Sequence, residues 1–231
     1  TKEVAITDIL FLEQDLENIH LGLIENEVFD LKLDKYINKI IVQNSQGTKA
    51  YEYNNSKIEK IEIPSRYLAE STVLIEYKMV VTNEGEVAGY ASELVDDLPR
   101  DLTFSSELNN DWYIGEDEKI HTRALEEDLI QPGESREILL ILRKRMSETN
   151  AGNTNNTAEI YEASNELGIE DIDSTPGNEN QREDDISSAD VVISIKTGEG
   201  IGTVIIILLI SIGIIAGGSY IIKKTVLEER G

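Results

Sequence analysis

The chain has 231 residues, of which 45 are acidic and 21 basic, for a formal net charge of −24. Such a charge repels nucleic acid and anionic lipid headgroups, which sets both aside as partners of residues 1–200. The absence of cysteine excludes disulfides, and with only two histidines it argues against a zinc site as well.

Residues 1–28 contain a short strand-like run from Val4 to Phe11, too little for a core of their own, and read as a linker or the tail of a preceding unit. Thr1 opens the chain without Met and without an apolar leader, which suggests a fragment or a processed form. From residue 29 onward, period-2 alternation and turn residues dominate. FDLKLDKYI (29–37) is a strand with Phe29, Leu31, Leu33 and Ile37 on one face. TVLIEYKMVV (72–81) is a long strand, followed by the turn NEGE and a return strand within 86–98 that Pro99 terminates. LTF (102–104), DWYI (111–114) and KIHTRAL (119–125) are shorter candidates. The QPGES turn (131–135) feeds REILLILRKR (136–145). The run NTAEIYEA that begins at Asn156 and ADVVISIKT (189–197) close the series. Many short strands with frequent turns predict an all-β antiparallel sandwich over residues 29–198. Residues 165–188 are acidic and polar and read as a solvated loop.

Ile201 to Ile222 is free of charge for 22 residues. As a helix it would extend about 33 Å, enough to cross a hydrocarbon core of roughly 30 Å. A transmembrane anchor is therefore expected within 199–224. Lys223 and Lys224 follow the apolar run while Glu199 precedes it, so the positive-inside rule puts tail 225–231 in the cytoplasm and the sandwich outside the cell. An exported domain without disulfides must stabilise itself by packing, by metal or by another cross-link.

The two histidines, His20 and His121, have no catalytic company, and no G-x-S-x-G elbow is present. An enzyme with turnover is not expected, and no cofactor is implied. Calcium is the one metal the sequence keeps open, because Asp171, Asp173, Glu183, Asp184 and Asp185 offer hard oxygen ligands without EF-hand spacing. The informative residues are polar ones on apolar strand faces. Residues two apart share a face, so Lys35 joins Leu31, Leu33 and Ile37, Asp96 joins Leu94 and Leu98, and Asn156 joins Ala158 and Ile160. Buried charges are costly unless paired, which predicts that these three meet. They could do so as an ion pair with a bonded amide, or a bulge could turn Lys35 outward.

The stretches DLKLDKYI, VLIEYKMVVTNEGEVAGYASELVDDLPRDLTF, IQPGESREILLIL, NNTAEI and SSADVVISI, in this order, resemble the bacterial surface repeat known as domain of unknown function 11. They also resemble the related fimbrial isopeptide-forming and collagen-adhesin domains of Gram-positive bacteria. The resemblance implies an immunoglobulin-like β-sandwich in a stalk or adhesin, with neighbouring repeats and a host or matrix ligand as partners. It further implies a cross-link between Lys35 and Asn156, with Asp96 as proton shuttle, formed once per molecule. No L-P-x-T-G sorting motif precedes the apolar run, and STPGN (174–178) is only an echo of one, so retention by the helix itself is expected. A ligand-binding receptor ectodomain with a single anchor is the alternative, against which the short tail argues. An exported hydrolase lacks a catalytic constellation.

The expected topology has a direct test. Proteolysis of intact protoplasts should digest the sandwich and spare Thr225 to Gly231; protection of the sandwich would reverse the orientation.

Overall fold

The computed structural model describes residues 27–197, and these form an all-β sandwich of two sheets. The strands are β1 (Leu31–Asn44), β2 (Gly47–Ser56), β3 (Ile58–Pro64), β4 (Thr72–Asn83), β5 (Gly89–Asp96), β6 (Trp112–Ile114), β7 (Ile120–Thr122), β8 (Ser135–Arg145), β9 (Gly152–Asn165) and β10 (Ile186–Lys196). One sheet has the order β2-β1-β4-β8 and the other β3-β10-β9-β5-β7-β6. Every pairing is antiparallel except β3 with β10, which is parallel. The residue 29–37 run is longer than its sequence signal, because β1 continues to Asn44 past a bulge between Ile37 and Lys39. Asn38 is the extra residue, and the bulge shifts the inward phase so that Ile40 and Val42 face the core.

Strict alternation builds the core. On β4, Val73, Ile75, Tyr77, Met79 and Val81 are buried, and they face Ala189, Val191 and Ile193 of β10 and Leu94 of β5 across the sandwich. Two expectations need correction. The strand after NEGE does not return beside β4: β4 and β5 lie in different sheets, so the turn is a crossover. LTF (102–104) is not a strand but a single bridge, Thr103 with Arg143.

That bridge has a role. β8 is an edge strand, and the segment before β6 covers its outer side. Arg143 exchanges backbone bonds with Thr103, the Asn109 side chain accepts from Ile141 N and donates to Ile141 O, and Trp112 Nε1 donates to Leu139 O. Edges so covered cannot pair with another chain. The crossover is pinned by Asn83, fully buried, whose amide donates to the carbonyls of Val87 and Ile130 and accepts from Gly85 N. Beside it Gly133, at φ 77°, donates to Asn83 O from the Pro-Gly turn. Phe29 packs against Gly89, where any added Cβ would lie 2.2 Å from the ring.

The loop expected at 165–188 spans 166–185, because Asn165 ends β9 and β10 starts at Ile186, and it is folded onto the sandwich: Phe29 bridges to Asp171, Ser174 and Asp185 are buried, and Gly177 N donates to Ile160 O. Residues 1–26 and 198–231, which include the expected anchor, lie outside the described residues. Among those described, no helix is long and apolar enough to cross a membrane.

Asn83→Ala removes three bonds: Val87 O and Gly85 N lose the partner it provides, while Ile130 O keeps the bond from Gly89 N. Urea unfolding should show a loss of about 2–4 kcal/mol; a loss below about 1 kcal/mol would mean that the crossover is held by packing alone.

Candidate functional site

Lys35, Asp96 and Asn156 meet. Lys35 comes from the first half of β1 and is 0 % exposed, Asp96 ends β5 at 0 %, and Asn156 lies on β9 at 1 %. They come from opposite sheets, so the contact spans the sandwich. Asp96 bridges its neighbours: its Oδ2 is bonded to Lys35 Nζ, and its Oδ1 accepts from Asn156 Nδ2 at 2.8 Å. Asn156 Nδ2 donates also to Asp97 O at 2.8 Å, while Asn156 Oδ1 is buried without a partner among the described residues. Lys35 Nζ lies 4.8 Å from the centroid of the Tyr77 ring, itself buried.

Burial governs protonation here. Loss of water pulls the Lys35 pKa down, and the Asp96 charge and hydrogen bond only partly restore it. The same loss pushes Asp96 up, against the lowering effects of Lys35 and Asn156. Both shifts favour the uncharged pair: an amine with a free lone pair beside a carboxylic acid. Asp96 thus contacts a nucleophile through one oxygen and an amide nitrogen through the other.

A second buried lysine escaped the sequence reading. Lys144 on β8, 1 % exposed, is bonded to Asp101 Oδ2 and donates to Thr154 Oγ1 at 2.8 Å. The alternation Ile138, Leu140, Leu142, Lys144 would have revealed it. Burial also tends to raise Asp101, but bonds from Lys144 and Thr154 outweigh it and its pKa is lowered. No amide stands at this second lysine: Thr154 occupies the place, two residues before Asn156 on the same face of β9.

His121 is 8 % exposed. Its Nδ1 lies 2.7 Å from Glu93 Oε1 and its Nε2 2.9 Å from Asp117 Oδ1, while Arg123 is bonded to Glu93 Oε2. Two carboxylates and an arginine thus fix the ring and join β7 to β5, which is a structural clamp.

The acidic residues divide. Asp173 and Asp184 converge with Asp30, which the sequence did not suggest, and one oxygen of each lies within 4.8 Å of the others. Asp171 stands beside them as a hydrogen-bond hub, accepting from Leu31 N, Ser174 N and Ser174 Oγ. Glu183 turns away to Thr175 N and Asn178. Asp185, 1 % exposed, has neither oxygen bonded among the described residues. Burial and then Asp173, Asp30, Asp171 and Glu84 push Asp184 to about 7. Burial and then Glu159, Glu183, Asp171 and Asp184 bring Asp185 to about 7.

No family model matches the chain, and no curated protein matches it. Two solved structures are similar in outline, both of the CARDB domain of a Pyrococcus furiosus protein. The solution structure shares 15 % identity, with 74 % of this chain and 99 % of that one covered, at a TM-score of 0.31. The crystal structure, of a complex with di-metal ions, shares 14 %, covering 75 % and 100 %, at 0.33. Likeness at this level bears on neither the triad nor the carboxylates.

Asp184 and Asp185 hold protons in the folded state that the unfolded chain releases near the ordinary carboxylate value of 3.8. Their stabilising effect is full below about pH 4 and is lost as pH rises through about 7. The melting temperature should fall by several degrees across that window, and Asp184→Asn with Asp185→Asn should flatten the decline. Melting curves in calcium and in chelator at pH 8 decide the calcium expectation: a rise with calcium supports it, and coincident curves leave these groups as proton sites only.

Proposed function

We propose that this chain is the membrane-anchored module of an extracellular stalk or adhesin of a Gram-positive cell, an immunoglobulin-like sandwich locked by an isopeptide bond between Lys35 and Asn156. What carries the reading is the burial of a lysine, a carboxyl group and an amide against one another, from strands of opposite sheets, in a chain without cysteine. The apolar run 201–222 and the Lys223-Lys224 pair support the anchor.

The chemistry needs no co-reactant. The neutral Lys35 amine attacks Asn156 Cγ, forming the N–C bond. Asp96 takes the proton released by the amine and gives one to Asn156 Nδ2, whose bond to Cγ breaks as ammonia leaves. Asp96 ends as it began. Asp96 faces the leaving nitrogen, at 2.8 Å. Asp96 holds the amine at one oxygen and the amide at the other, which supplies proximity that amides in water lack. The reaction takes place once, so the protein modifies itself and has no turnover.

Intact mass of the full chain tests this. Wild type should be lighter than its sequence by one ammonia, and Lys35→Ala and Asp96→Ala should each restore the missing mass. Because a buried triad resists truncation, Asp96→Asn serves as the near-isosteric control. Folded wild type at its full sequence mass would leave Lys35 and Asp96 as a buried pair only.

A further inference from the structure

The two long sides of the sandwich differ. The β8 side is covered by Thr103, Asn109 and Trp112. The opposite side ends in β2 and β3, neither of which has a strand on its outer edge among the described residues. Between them runs a groove of about 580 Å³, floored by Ile61 and Ile63. Lys49, Lys60 and Lys196 line it, and Glu62 is the one carboxylate in its wall. In a chain with more than twice as many acidic as basic residues, this is a local reversal of sign. Tyr51 and Tyr67 stand in the same wall, with Lys49 Nζ 4.5 Å from the Tyr51 ring and the Arg66 guanidinium 4.7 Å from the Tyr67 ring. Lysine beside tyrosine is the pairing that suits a membrane interface, where an amphipathic ring sits at headgroup level and an ammonium meets phosphate.

The chain's own length fixes where this groove lies. Lys196 is the last residue of β10, and four peptide units separate Thr197 from Ile201, where the apolar run begins. Fully extended they reach about 14 Å. The end of β10 is therefore held close to any bilayer that the apolar run enters. The carboxylates Asp30, Asp173 and Asp184 sit at the other end, beside the start of β1. With 14 residues, β1 separates the two ends by about 45 Å. That is several Debye lengths at physiological salt, so the acidic end scarcely affects the groove.

We propose that the β2–β3 groove docks on the anionic surface of the bilayer in which the chain is anchored, with Lys49 and Lys60 engaging phospholipid phosphates and Tyr51 and Tyr67 entering the headgroup layer. The inference rests on the anchored reading above. Net charge argues against anionic lipid for the protein as a whole, but its placement leaves one cationic face, and that face is the membrane-proximal one. Docking would fix the tilt of the sandwich on the cell surface, where four linking residues alone would let it swing.

The test uses the full chain in lipid nanodiscs, either phosphatidylcholine alone or phosphatidylcholine with phosphatidylglycerol. Amine-reactive labelling read by mass spectrometry reports each lysine. Lys49 and Lys60 should label several-fold more slowly in the anionic discs than in the neutral ones, with Lys32 at the acidic end unchanged. High salt should abolish the difference. Tyr67→Trp should be quenched by brominated anionic lipid, and Lys49→Glu with Lys60→Glu should remove that quenching. Equal labelling in the two discs, or quenching that survives the double substitution, overturns the docking and leaves the anchor intact. A chain that separates from the discs on gel filtration overturns the anchor, and the docking with it.

Discussion

A lysine that the alternation of β1 drives into the core is the constraint on which the rest of this sandwich depends. An ammonium group without partners is among the costliest things to bury, so the fold must bring an acceptor to Lys35 or place β1 in another register. A slip of one residue would turn Lys35 outward, together with the whole apolar set Leu31, Leu33 and Ile37. The observed register satisfies both demands, because Asp96 arrives from the facing sheet and Asn156 completes it. Tyr77, paired with Ile37 in the neighbouring strand, supplies an aromatic face to the same Lys35 nitrogen. Polar specificity and apolar packing therefore select one register between them.

The contrast with Lys144 shows what the amide adds. Both lysines are buried, both contact an aspartate, and both face β9. Asp101 keeps a third of its side chain in solvent and its pKa is lowered, as befits a charged partner. Asp96 is closed off and shifted upward. One site reads as an ion pair that holds the β8–β9 side together. At the other, burial shifts both groups toward their uncharged forms, and an amide stands beside them.

The triad was legible because strand alternation is a short-range rule, and Lys35, Asp96 and Asn156 each break an apolar face in their own few residues. Lys144 obeyed the same rule and could have been read equally well. β2 and β3 were missed although each carries a short alternation: Tyr51 and Tyr53 of β2 pack against the core and Ile61 and Ile63 of β3 are buried, while most of GTKAYEYNNS is exposed and pairs with the edge that β1 offers. The crossover after β4 was misjudged as a hairpin because the NEGE turn resembles one locally. What decides it is Asn83, whose bonds reach Ile130, 47 residues away. Asp30 joined Asp173 and Asp184 by the same long-range route, through the bridge of Phe29 with Asp171. In the groove, Lys49, Lys60 and Lys196 lie on three strands, two of them unforeseen, so net charge concealed a cationic face.

The position of the triad also bears on force. In a stalk the chain enters at the start of β1 and leaves from the end of β10, and tension acts between those points. These strands belong to different sheets, so in the absence of a cross-link the load passes through side-chain packing and through the β1–β4 and β9–β10 ladders. With the proposed bond in place, tension entering at Leu31 would pass within four residues to Lys35 and directly to Asn156. Asn156 pairs with Ala189, the fourth residue of β10, so it is the β9–β10 ladder that remains under load. Everything between residues 36 and 155 would be shielded, including the Asn83 crossover and the covered β8 edge. A bond placed near the start of β1 and opposite β10 is where a module under tension gains most from one covalent link. Placed between β1 and β4, the same chemistry would have closed a shorter loop and left the sheets free to separate.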